Sequence, residues 1–239
     1  MNTFRHGGKG GDLIFSLPAI RELGGGVLYL PESTPDDCDK LYSSMKELME
    51  MQPYISEVRE YPSGYPYMVL DPMIPITYDL DRARQQPAKG VVHIVKRYLD
   101  QFKINYPNWK EPWLTVNGDS PIKGEYVVIN YTGRHIVNNQ LGIKSRVDWT
   151  AVHHSISDKR YFVGTKQEHQ YFCDHFAMVD YFPTGNVLEL ARVIKGAKKV
   201  YLNQSLALSL SQSIGVEYWC DFKPGKRNCK LSTINEHEL

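Results

Sequence analysis

Apolar and polar positions along this chain follow two alternating periods, short apolar runs of strand character and longer stretches with apolar residues three or four apart. Asn2–His6 reads as a short strand, followed by a helix over Asp12–Leu23. Val27–Pro31 reads as a buried strand. The Asp36–Met51 stretch reads as a helix, because Leu41, Met45, Leu48 and Met49 recur at helical spacing. Glu57–Tyr61 and Tyr67–Asp71 are further strand candidates. The segment Pro72–Lys89 is broken by Pro72, Pro75 and Pro87 and reads as irregular. Val91–Phe102 is helical again, with Val95, Leu99 and Phe102 on one face.

Between Tyr106 and Gly124, Pro107, Pro112, Gly118 and Pro121 interrupt the pattern, which marks a linker. A second series then begins. Strands are expected at Glu125–Tyr131, Arg160–Val163, Met178–Phe182, Lys199–Leu202 and Glu217–Asp221. Helices are expected at Asp148–Ile156, Glu168–Phe176, Val187–Ala197 and Leu206–Ile214. The tail from Lys223 is polar and reads as loose. Two βα series separated by a break predict an α/β protein of two Rossmann-like, doubly wound domains facing across a cleft. The boundary falls between residues 1–118 and 119–239. Ligands in such sheets sit beyond the carboxyl ends of the strands.

Composition narrows the picture. The 239 residues carry 28 basic and 27 acidic side chains, a formal net charge of +1, so there is no electrostatic case for a nucleic-acid footprint. An apolar content of 42% is ample for a packed core and excludes global disorder. Cys38, Cys173, Cys220 and Cys229 form no Cys-x-x-Cys pair and read as reduced thiols of a cytoplasmic protein. No apolar run reaches the ~20 residues that span a bilayer. Peripheral membrane contact stays open.

Candidate chemistry begins at the first strand. Gly7-Gly8-Lys9-Gly10-Gly11-Asp12 precedes an apolar helix. Glycines let the backbone approach a ligand closely, and the free N–H groups of a helix start attract an anion. The segment therefore reads as a phosphate-facing turn with one carboxylate, Asp12, at its mouth. Asp is also a good helix cap without any ligand. The run is neither a P-loop nor a dinucleotide fingerprint, since the spacing of each is missing.

In the second series polar residues recur at strand ends. Asn130, Tyr131, Thr132 and Gly133 follow the first strand, Gly164, Thr165 and Glu168 the second, and Asn203, Gln204 and Ser205 the Lys199–Leu202 strand. Lys144 and Arg146 lie between the first two sets. A helix start at Ser205 can hold a phosphate, Lys144 or Arg146 can neutralise a diphosphate, and Glu168 can accept both hydroxyls of a ribose. Taken singly, each position is better explained by helix capping, and it is the recurrence at three strand ends that points to a ligand. His135, His153, His154, His169 and His175 show no metal-ligand spacing with a matching acid. Trp149 reads as core. The aromatic residues from Tyr61 to Tyr67 would either pack or line an acceptor surface.

These residues resemble the heptosyltransferase-like glycosyltransferases, of family 9 type and GT-B architecture, in a shortened and divergent form. Gly10-Gly11-Asp12 with the apolar run to Pro18-Ala19-Ile20 is similar to the family's opening motif. The His93–Leu99 stretch followed by Pro112-Trp113-Leu114-Thr115-Val116 resembles the close of its N-terminal half. Arg146–Trp149 resembles its basic-Trp element, Gly164–Glu168 its Gly-x-x-x-Glu, and Asn203-Gln204-Ser205 with Leu206–Gly215 its Asp-Ser/Thr-Gly segment. The resemblance implies inverting, metal-independent transfer from a nucleotide sugar, with no cofactor. Asp12 would be the general base. Gly10, Gly11, Thr132, Gly133, Lys144, Arg146, Gly164, Thr165, Glu168, Asn203, Gln204 and Ser205 would bind the donor. The N-terminal domain would take the acceptor, a glycan, a lipid-linked molecule or another small compound. The chain departs from the family at Asn203 and Leu208, where the family has Asp and His, and Arg134–Ile143 reads as inserted. A catalytically degenerate nucleotide-sugar binder and a scaffold with no nucleotide site are the competing expectations.

Overall fold

The structure, a computed structural model, describes residues 1–32, 41–61, 76–85, 92–132, 147–222 and 229–239. The chain divides into two compact units, Met1–Asn117 and Gly118–Leu239. Each is built on one parallel sheet.

In the first unit the strands are β1 (Asn2–Arg5), β2 (Gly26–Pro31), β3 (Ile55–Tyr61) and β4 (Tyr78–Asp79), in the order β3-β2-β1-β4. The helices are α1 (Gly10–Glu22), α2 (Leu41–Glu50), α3 (Leu80–Gln85) and α4 (Ile94–Gln101). Helix α1 is buried along almost its whole length from Asp12 to Ile20, as expected of a helix apolar on every face. The hairpin from α1 into β2 is fixed by glycine. Gly25 has φ +64°, and a Cβ there would lie 1.9 Å from the Tyr54 carbonyl oxygen.

In the second unit the strands are β5 (Val127–Asn130), β6 (Arg160–Phe162), β7 (Asp180–Tyr181), β8 (Lys199–Asn203), β9 (Tyr218–Asp221) and β10 (Glu236–Glu238). They lie in the order β10-β9-β8-β5-β6-β7, all parallel. The helices are α5 (Trp149–Ser155), α6 (Lys166–His175), α7 (Val187–Gly196) and α8 (Leu206–Ile214). Counted within the unit, the order is 3-2-1-4-5-6, that of a doubly wound nucleotide-binding sheet. Trp149 is core, packed with Val127, Ile129, Tyr131, Phe162 and Phe172.

Two expectations are corrected. Within the segment expected to be irregular, residues 76–85 hold β4 and α3. A two-residue strand is too short to show a period in sequence. The tail is not loose where it is described. Glu236–Glu238 pairs in parallel with β9, Tyr218 opposite Glu236 and Cys220 opposite Glu238. The Glu236 carboxylate holds this arrangement, accepting from Tyr218 Oη at 2.6 Å, Leu231 N at 2.7 Å and Ser232 N at 3.1 Å. The expected strand Tyr67–Asp71 and the start of the helix expected from Asp36 lie outside the described residues.

Candidate functional site

In both sheets the chain reverses its direction of winding beside the first strand, and in such folds that is where a ligand crevice opens. In the first unit this point lies at the carboxyl ends of β1 and β4. Arg5 and Asp79 are paired there in register, with 4.0 Å between guanidinium and carboxylate. The turn that follows β1 is anchored twice. Gly7 N–H donates to Asp81 Oδ2 at 2.6 Å, and Gly8 N–H donates to His6 Nδ1 at 3.1 Å. With Nδ1 accepting, His6 is the neutral tautomer protonated on Nε2, which lies 3.3 Å from Tyr98 Oη. His6 is fully buried.

Lys9 caps α1 in extended conformation, and its carbonyl accepts from Asp12 N at 2.9 Å and Leu13 N at 3.1 Å. Asp12 therefore sits in the first turn of α1. It is only 7% exposed, in the field of the helix N-terminus. Gly10 and Gly11 form the start of the same turn, where N–H groups have no acceptor within the helix. The structure thus brings Gly10, Gly11 and Asp12 together. Gly7 and Gly8, by contrast, have spent their N–H groups on protein acceptors.

In the second unit the reversal lies between β5 and β8, and the expected residues converge on their ends. The Asn203 side chain makes a two-point clamp on Thr132, its Oδ1 accepting from Thr132 N at 3.1 Å and its Nδ2 donating to Thr132 O at 3.0 Å. Ser205 Oγ donates to Asn130 Oδ1 at 2.7 Å, and Asn130 Nδ2 donates to the Val163 carbonyl at 2.8 Å. Ser205 consequently makes no side-chain cap on α8, although it occupies the cap position. The first-turn N–H groups of this helix take no acceptor from the Ser205 side chain, and a helix start has none within the helix. Leu208 is buried in the core of the unit.

Thr165 and Glu168 form a capping box at the start of α6. Thr165 Oγ accepts from Glu168 N, and Glu168 Oε2 accepts from Thr165 N at 2.9 Å and Thr165 Oγ at 3.0 Å. Among the described residues, Glu168 Oε1 has no hydrogen-bond partner. Gly164 has φ +142°, and a Cβ there would stand 3.0 Å from Glu168 Oε2 and 3.3 Å from Asn130 Nδ2. Its carbonyl accepts from Tyr181 Oη at 3.0 Å. Thr132 with Asn203, Ser205 with Asn130, and Thr165 with Glu168 thus form three hydrogen-bonded sets at the ends of β5, β6 and β8, with Gly164 next to Thr165 and Gln204 beside Asn203. Gly133, Lys144 and Arg146 lie outside the described residues.

Asn130, which links Ser205 to the Val163 carbonyl, stands in the strand-end set read from the sequence but was not among the expected donor-binding residues. Its signal was a buried strand, Val127–Asn130, ending on an amide. Asp81 in the first unit had no such signal. Among the described residues, no group of three or more His, Cys, Asp or Glu is placed to hold a metal ion. No described helix is long and apolar enough to cross a membrane.

Two doubly wound parallel sheets, each with polar residues at its reversal of winding, make this an α/β protein of two Rossmann-like units. The comparisons with solved structures agree. Over the full chain the fold matches an Escherichia coli ADP-heptose lps heptosyltransferase II, with TM-score 0.65, 11% identity and 90% of that chain covered. It matches a family 9 glycosyl transferase from Veillonella parvula at TM-score 0.62 and 10% identity, covering 99% of this chain and 84% of that one. Escherichia coli heptosyltransferase WaaC, solved with ADP-2-deoxy-2-fluoro heptose, matches at TM-score 0.57 and 13% identity, with 100% and 93% covered. No family model and no curated protein matches the sequence.

Proposed function

We propose that this chain is a glycosyltransferase that moves a sugar from a nucleoside-diphosphate sugar to an acceptor hydroxyl, with inversion and without a metal ion. The observation that carries the reading is Asp12, a carboxylate almost fully buried in the first turn of α1 at the reversal of the first sheet. The shared fold supports it, as do the polar residues gathered at the strand ends of the second unit.

In this reading residues 1–118 take the acceptor and residues 119–239 the donor. Asp12 accepts the proton of the acceptor hydroxyl as its oxygen attacks the anomeric carbon. The new C–O bond forms on one face of the sugar. The bond to the diphosphate breaks on the other, and the diphosphate leaves with the electron pair. The uncapped first turn of α8 stabilises the charge that develops on it, together with Lys144 or Arg146. Glu168 Oε1 takes the ribose hydroxyls. The acceptor is a glycan, a lipid-linked molecule or another small compound, and a nucleotide-sugar donor implies a cytoplasmic setting.

A second reading, a nucleotide-sugar binder that has lost turnover, is favoured by the clamp of Asn203 on Thr132 and by the burial of Leu208. One experiment separates the two. Thermal unfolding is followed with ADP-, GDP-, UDP-, CMP- and dTDP-linked sugars in the presence of EDTA, since a ligand of the native state raises the melting temperature. The donor that shifts it is then tested for release of its nucleotide. The enzyme reading expects a shift and turnover, with Asp12→Ala abolishing turnover and keeping the shift. A shift without turnover selects the binder, and no shift from any donor removes both readings.

A further inference from the structure

We propose that Asp81 is a positioning residue for Asp12, an inference that rests on Asp12 being the base. Asp81 lies in the first turn of the short helix α3, next after β4, and β4 is the strand paired with β1. It is 8% exposed. Its Oδ2 accepts the Gly7 N–H at 2.6 Å, the short distance of a charge-assisted hydrogen bond.

That bond fixes the point where the chain leaves β1. Gly8 is fixed next, by His6 Nδ1, and His6 is itself held between the Tyr29 carbonyl, at 3.2 Å from its N, and Tyr98 Oη. Lys9 follows, and its carbonyl carries the backbone of Asp12. The path from Asp81 to Asp12 is therefore five residues long with a protein anchor on Gly7, Gly8 and Lys9. Glycine at positions 7 and 8 has no side chain to restrict its backbone, so without the Asp81 anchor this turn has many conformations to explore. A buried carboxylate at the turn also places negative charge where an incoming phosphate would otherwise bind. Gly7 is thereby assigned to holding the base rather than the donor.

The test compares Asp81→Asn, which keeps an oxygen acceptor for Gly7, with Asp81→Ala, which removes it. The first readout is amide hydrogen exchange over residues 4–15. Faster exchange is expected in Asp81→Ala, and near wild-type exchange in Asp81→Asn. The second is turnover of the donor selected by the thermal screen. Asp81→Ala should lower kcat by about a hundredfold, the cost of a small misplacement of a reacting group, with the donor KM unchanged. Asp81→Asn should recover most of that loss. Wild-type exchange in Asp81→Ala overturns the proposal, as does an equal loss of kcat in both variants. If the wild type turns over no donor, the reading of Asp12 fails, and exchange alone still decides whether Asp81 holds the turn. Should Asp81→Ala fail to fold, Asp81→Asn against Asp81→Ser gives the same contrast.

Discussion

The indole N–H of Trp113 donates at 3.0 Å to the backbone carbonyl of Ile14, the carbonyl that Pro18 cannot serve. In a regular helix Ile14 O would accept from the N–H of residue 18, and proline has none. A buried carbonyl left without a partner is costly. Trp113, 99 residues further on, supplies the donor from outside the helix. Gln52 fixes the segment that carries it, donating to the carbonyls of Leu48 and Thr115 and accepting from Thr115 N at 3.0 Å.

Trp113→Phe keeps an aromatic ring and removes the donor, so it should cost about 1–3 kcal/mol, the penalty of an unsatisfied buried carbonyl together with some lost packing. Pro18→Ala restores the N–H within α1. In that background Trp113→Phe should cost clearly less, and the difference is a coupling energy. Urea unfolding of the four proteins measures it. Additive effects would show that the Trp113–Ile14 bond contributes nothing.

Asn203→Asp should destabilise this protein. The amide donates to Thr132 O and accepts from Thr132 N. A carboxylate can only accept, so it would set an oxygen against the Thr132 carbonyl in a buried position. A loss of about 1–3 kcal/mol is expected above neutral pH. It should shrink on acidification, because a protonated Asp regains a donor. Unfolding at pH 7 and pH 4.5, each against wild type, checks both the size and the sign.

Helices and interior strands of this fold were legible in the sequence because their signals are local. Leu206–Ile214 has the bounds expected of it, set by Ser205 before it and by Gly215 in left-handed conformation after it. The elements that were missed depend on distant partners. Glu236-His237-Glu238 contains no apolar residue, and it is a strand by pairing with β9, where Tyr218, 18 residues away, reaches the Glu236 carboxylate. The polar residues at the ends of β5, β6 and β8 stood out as a recurrence along the chain. The link that Asn130 makes from Ser205 to the Val163 carbonyl did not, since it requires the strand order β8-β5-β6. Asp81 was hidden for the same reason, its partner Gly7 lying 74 residues away.

His153 should make the protein acid-sensitive. Its ring is buried, and neither nitrogen makes a hydrogen bond within the protein. Burial lowers its pKa from 6.5, and the positive charge of Arg160 and the neighbouring His154 lower it further. The Met178 backbone works the other way, short of hydrogen-bond geometry. A depressed pKa means that the unfolded chain binds the proton first. Stability is therefore full above pH 6.5 and falls as the pH drops through the lowered value. His153→Gln removes the titration, so the gap between its unfolding free energy and that of wild type should change in its favour from pH 8 to pH 5. A gap independent of pH would refute the assignment.

Glu168 carries two roles that mutation can separate. Its Oε2 closes the capping box with Thr165, and its Oε1 has no donor among the described residues. Thr165→Ala removes the cap and should cost about 1 kcal/mol of stability. Glu168→Ala removes the other half of the same box and should cost a similar amount. Stability alone therefore cannot tell the two variants apart. Donor affinity can, because in the proposed function the Glu168 carboxylate, and not Thr165, accepts from the ribose. Glu168→Ala should weaken binding of the nucleotide sugar by about tenfold or more, as the loss of a charged acceptor worth about 1.5–3 kcal/mol requires, whereas Thr165→Ala should leave it within about twofold. Calorimetric titration at a temperature where both variants are folded makes the comparison. Equal affinities in the two variants would reduce Glu168 to a helix cap and move the ribose contact elsewhere in the second unit.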